Sequence, residues 1–114
     1  MTIQSNKSGI EHAREMIQKN QYVKDSDWSQ AQPSRDEEND FLDRHDWAEY
    51  AKWYLAIDTD ENEETKAHYK FPYGDFRRVH RSGVIAAKQR AGEWNYEDVL
   101  SAADDLLNAL PEPD

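Results

Sequence analysis

Cysteine is absent from this 114-residue chain, and glycine and proline occur four times each. Without thiols there can be no disulfide, no thiolate zinc site and no cysteine nucleophile, and the composition suits a reducing compartment. Apolar residues are also scarce, at 37% against 33% charged. No stretch approaches the roughly 20 consecutive apolar residues that span a bilayer, and Met1 to Ser8 has no apolar run of the kind that opens a secretory signal. A soluble, cytoplasmic protein with no membrane partner is expected. Positive charge is scarce as well: 14 Lys and Arg face 24 Asp and Glu, a formal charge of −10 that favours solubility.

Thirteen aromatics are present, and each ring can bury a large area, so a small aromatic core is expected rather than disorder. The length suits one domain. The bases are unevenly placed. Lys66 to Ala91 holds seven of the fourteen against a single acid, Asp75, while the other 88 residues carry seven bases and twenty-three acids. A net +6 island therefore lies in a −16 remainder. Its counter-charge is either the chain's own acidic surface or an outside partner.

Met1 to Lys7 is polar and expected to fray, as is the acidic tail 111–114, which leaves residues 8–110 as the domain. Ser8 and Glu11 have capping-box spacing and predict a first helix on Ile10, Ala13, Met16 and Ile17. Residues 20–34 mix turn formers with Tyr22, Val23 and Trp28 and read as a connection pinned by its aromatics. Ser34 with Glu37 and Asp46 with Glu49 repeat the cap pattern, the first before Phe41 and Leu42. The stretch from Trp47 to Ile57 fits both periods and is read as a helical turn passing into a strand at about 52–57. Ala67, Tyr69 and Phe71 alternate with His68 and Lys70 as a second strand, giving a two-stranded antiparallel hairpin covered by helices. Pro72 to Asp75 form a turn. A helix from about His80 to Ala91 is closed by Gly92, and a last amphipathic helix runs from its N-cap Asn95 to Leu110, with Pro111 as its stop. The fold class is α+β with a helix-rich C-terminal half, in which Val84, Ile85, Val99, Ala103, Leu106 and Leu107 pack on Trp53, Leu55 and Tyr69.

From Trp53 to Leu110 the order WYLAID, polar loop, YKFPYGDF, VHRSGVIAAKQRAG and amphipathic helix resembles a small bacterial and phage-associated domain of unknown function. Copies of that domain stand beside, or fused to, tailed-phage prohead proteases. Tyr69, Lys70, Pro72, Asp75, Arg81, Ala86 and Ala87 carry the likeness, His80 stands where the family's pattern has proline, and residues 1–46 have no counterpart. The resemblance implies an α+β module and no activity. The serine and histidine of a prohead protease have no match here.

Asp58, Asp60 and Asn62 have the opening spacing of a calcium loop, but Glu63 replaces the turn glycine and Tyr69 the bidentate glutamate, so a solvated loop is the favoured reading. His12, His45, His68 and His80 lack a partner at i+4 that would make a zinc face. Ser82 has His80 nearby but no glycine elbow around it. No cofactor and no catalytic residue is assigned. Lys70, Tyr73, Asp75, Arg77, Arg78, His80 and Arg81 are the candidate binding residues, read first as a surface for an unknown protein partner. Bases interleaved with Tyr69, Phe71, Tyr73 and Phe76 are also the residue types that touch phosphates and stack on bases, so nucleic acid is the alternative partner. The net negative charge opposes it.

Overall fold

The computed structural model describes residues 1–113. In chain order the elements are β1 (Ile3–Ser5), α1 (Lys7–Gln18), β2 (Tyr22–Val23), α2 (Trp28–Ala31), α3 (Arg35–Arg44), α4 (Trp47–Ala51), β3 (Tyr54–Asp58), a 3-10 turn (Lys66–His68), β4 (Tyr69–Pro72), β5 (Val79–His80), α5 (Arg81–Glu93) and α6 (Glu97–Ala109). The class is α+β. No helix among the described residues is long and apolar enough to cross a membrane.

The sheet has three strands rather than two, in the order β1-β3-β4, both pairs antiparallel. Ser5 lies opposite Ala56 on one side of β3, and Lys70 lies opposite the same residue on the other. The N-terminal segment, expected to fray, is thus an edge strand. A three-residue strand offers little periodicity to read, and the pairing is supplied by β3, whose backbone needs partners on both sides. A separate parallel pair joins β2 to β5, with Val23 opposite His80, so part of the expected connection 20–34 is ordered by a ladder.

Helix α1 begins earlier than Ser8 and Glu11 suggest. Its N-cap is Asn6, whose buried amide donates to the carbonyls of Ala51 (2.8 Å) and Tyr54 (2.9 Å) instead of capping the helix. Gly9 follows from the same contact: a Cβ there would sit 1.8 Å from the Tyr54 carbonyl oxygen, so α1 lies on β3 only because this position has no side chain. The predicted box at Ser34 forms in full, and at Asp46 the side-chain half of the cap forms. Ser34 Oγ accepts from the Glu37 N–H and Glu37 answers on the Ser34 N–H, while Asp46 Oδ1 accepts from the Glu49 N–H.

Gly92 does not close α5. The helix runs on to Glu93, and the left-handed residue is Asn95 (φ 58°), with Tyr96 N–H returning to the Ala91 carbonyl (2.9 Å). Asn20 (φ 60°) ends α1 in the same way, with Gln21 N–H on the Met16 carbonyl. Both are Schellman closures that use asparagine, the commonest substitute for glycine at that position. Asn95 is consequently the end of α5, and Tyr96 is the N-cap of α6.

One core joins the layers. Leu55, Tyr69 and Trp53 from the sheet region, Ala13, Met16 and Ile17 from α1, Val84, Ala87 and Ala91 from α5, and Val99, Ala103 and Leu106 from α6 are all buried in it. Leu107, expected inside, lies at its margin, and Ile85, also expected inside, is only half-buried. Tyr50, Tyr54 and Tyr69 fill one end as a ring cluster with centroids 4.8 to 5.9 Å apart. The Tyr50 and Tyr54 hydroxyls meet at 2.6 Å, and burial pushes Tyr50 up to about 12 and Tyr54 higher still.

Candidate functional site

The turn between β4 and β5 is fixed by one side chain. Asp75 Oδ1 accepts from the backbone N–H of Arg77 (3.0 Å) and of Arg78 (2.8 Å), its own N–H donates to the Arg78 carbonyl, and Gly74 pairs with Val79 across the turn. Gly74 has no room for a Cβ, which would lie 2.6 Å from the Arg78 carbonyl oxygen and 2.8 Å from the Trp53 ring. Phe76 at the tip takes a left-handed φ of 67° and turns inward, stacking on Phe41 with centroids 4.5 Å apart. Such a conformation costs a bulky residue about 1–3 kcal/mol, and here ring burial offsets it. The two residues after it, Arg77 and Arg78, are exposed and form no ion pair among the described residues.

Asp75 Oδ2 lies 2.9 Å from His80 Nε2. Partial burial tends to raise the Asp75 pKa, but the His80 bond and the Arg78 and Arg77 amides outweigh it and hold the carboxyl below its ordinary value. An ionised Asp75 requires Nε2 to carry the proton. In the neutral ring Nδ1 then accepts, and its partner is Ser26 Oγ at 2.8 Å, which meets Ser82 Oγ at 2.8 Å. The chain Ser82, Ser26, His80, Asp75 ties the residues before α2, the start of α5 and the arginine turn to one another. His80 is only 6% exposed, which makes it the anchor of the turn rather than part of its surface.

The seven predicted binding residues therefore separate. Asp75 and His80 meet, Arg77 and Arg78 face outward, and Tyr73 is fully buried with its hydroxyl donating to the Lys52 carbonyl. Tyr73 belongs to the core, and burial raises its pKa. Arg81, the first residue of α5, is half-buried beside Lys88 and Asp104, and its Nε has no partner. Two other bases of the island are paired with the chain's own acids, Lys66 with Glu38 (3.4 Å) and Lys88 with Asp104 (2.7 Å).

Arg77 also borders a cleft of about 330 Å³ with Asp75, Phe76 and four α3 residues, Glu37, Asp40, Phe41 and Arg44. His45, stacked on Phe41 at 4.2 Å, completes its rim.

Lys70 lies elsewhere, in a cleft of about 380 Å³ with Phe71, Arg90, Trp94 and Tyr96. Consecutive strand residues ordinarily point to opposite faces. Lys70 and Phe71 line the same cleft because Phe71 has a left-handed φ of 62°. Phe71 and Arg90 also line a neighbouring cleft of about 250 Å³ with Trp28. Sequence periodicity overlooks this groove, because Phe71 is taken as an inward strand residue. The available signal was Trp94, an aromatic outside every apolar stripe, which is 66% exposed.

The three residues with calcium-loop spacing are occupied separately. Asp58 Oδ1 accepts from the Thr2 and Asp60 amides, Asp60 pairs with the N-terminal ammonium (3.1 Å), and Asn62 Oδ1 accepts from the Glu64 N–H. Among the described residues no three His, Asp or Glu side chains converge as a metal site. Set against known proteins, the chain matches no family model, no curated protein and no solved structure, so what it does must be argued from this geometry.

Proposed function

We propose that this chain is a non-enzymatic binding module that engages an acidic protein partner through the Asp75–Arg81 turn. One observation carries the reading: in a protein with ten excess negative charges, Arg77 and Arg78 remain exposed and unpaired among the described residues, on a turn held by Asp75 and His80. A guanidinium on a fixed backbone loses less freedom on binding than one on a mobile loop, and its forked donors suit carboxylates. A phage or prophage origin and a cytoplasmic setting belong to the same proposal, the first supported by the residues from Tyr69 to Ala87 that resemble the phage-associated domain.

Affinity capture with the wild-type chain and an Arg77→Ala/Arg78→Ala variant tests it, followed by direct titration of the recovered partner. Recovery and affinity should fall by about tenfold or more in the variant, since two charge-assisted contacts are lost. Equal recovery would remove the turn from consideration. Micromolar binding of an oligonucleotide that weakens steeply with salt, and is lost in the same variant, would instead establish nucleic-acid binding through residues 66–91.

A further inference from the structure

The groove around Phe71 has three properties together that the rest of the surface lacks. Its walls are aromatic: Phe71 and Tyr96 stand with centroids 6.1 Å apart, Trp94 projects from the end of α5 and Trp28 borders the adjoining cleft. Its cations, Lys70 and Arg90, form no ion pair among the described residues, and Glu93 is the one acid in the lining. Its shape depends on the left-handed Phe71, which brings two neighbouring strand residues to one face.

We propose that this groove binds a small planar aromatic ligand carrying an anionic group, of about the size of a nucleoside monophosphate. The rings supply stacking faces, and Lys70 and Arg90 supply the counter-charge. The volume of about 380 Å³ lies at the small end of the ligand-site range. A short ligand fits better than a polymer, because a long polyanion would meet the repulsion of the whole −10 surface while a single anionic group senses chiefly the two cations beside it. The site does not use Arg77 or Arg78 and stands independently of the partner surface.

Titration of the ¹⁵N-labelled protein tests it by amide and indole shifts, with adenosine 5′-monophosphate and 2-naphthoate as ligands and adenosine and inorganic phosphate as controls. Submillimolar binding of either ligand is expected, shifting Phe71, Arg90, Trp94 and Tyr96, with each control about tenfold or more weaker. The tighter of the two assigns the anion as phosphate or carboxylate. Arg90→Gln and Trp94→Ala alter exposed residues, should keep the wild-type spectrum elsewhere, and should each weaken binding by about tenfold. Lys70→Gln serves as a further variant should either spectrum change. Absence of saturable shifts in the groove, or variants that leave affinity unchanged, overturns the proposal. Tighter binding of a single-stranded oligonucleotide than of the monophosphate, lost in the same variants, overturns it in favour of a polymer.

Discussion

At the scale of residues, His12 illustrates how composition hides an electrostatic liability. It sits half-buried on α1, edge-on to Trp53 at 5.0 Å, with no hydrogen-bond partner for its Nε2. Burial lowers its pKa below the ordinary 6.5, and the Lys52 charge and the weaker Lys19 act in the same direction, against Glu15 and Glu49. The folded state therefore binds fewer protons at this site than the unfolded chain. The stability it confers is complete above the unfolded value and is lost as pH falls through the lower folded value. Denaturation midpoints measured from pH 8 to pH 5 should decline, and His12→Leu should flatten the part of that decline that begins near 6.5. A slope identical in wild type and variant would show that other groups set it. Asp75 has the same sign in a lower window: its contribution holds above 3.8 and disappears as the carboxyl protonates below it.

At the scale of elements, what could be read in advance was what is local. The caps at Ser34 and Asp46 need only residues three apart, and the stripe of α6 repeats over four turns, so neither depends on the rest of the chain. The misplaced boundaries are set by hydrogen bonds that cap spacing alone does not reveal. Asn6 displaces Ser8 because its amide is held by Ala51 and Tyr54, and Asn95 displaces Gly92 because the closing bond runs from the Tyr96 N–H to the Ala91 carbonyl. The site was legible in part for the same reason. A cluster of bases is visible in composition, but whether each is paired depends on acids far away in sequence, such as Glu38 for Lys66 and Asp104 for Lys88. The closure at Asn95 is open to a direct check. Asn95→Gly should leave stability unchanged or raise it by up to about 1 kcal/mol, whereas Asn95→Val should lower it by about 1–2 kcal/mol, because only the latter brings a branched side chain to a positive φ. Chemical denaturation of the two variants reads the difference, and equal stabilities would refute the assignment of this residue as the helix end.

At the scale of the whole molecule, charge and topology act on different properties. The −10 surface disfavours long polyanions without preventing local cationic sites, since fields from exposed charges fade within about 8–10 Å at moderate salt. The arginine turn and the Phe71 groove are two such sites within one basic segment, with separate linings. Topology bears on the order in which the parts assemble. Helices α5 and α6 are adjacent in sequence and pack on each other, whereas β1 meets β3 only after a loop of about fifty residues has closed, which carries the larger entropic cost.

The β1 pairing therefore has a kinetic meaning. An edge strand of three residues that joins distant parts of the chain should dock late in folding and release early in native fluctuations, exposing one side of β3 while α5 and α6 stay intact. Native-state hydrogen exchange should find the β1 amides opening at lower free energy than those of the α5 and α6 interior. Simultaneous opening would make the strand an integral part of one cooperative unit. In the expected case β3 spends a small fraction of its time with an unpaired edge, the state from which two copies could exchange their first strands at high concentration.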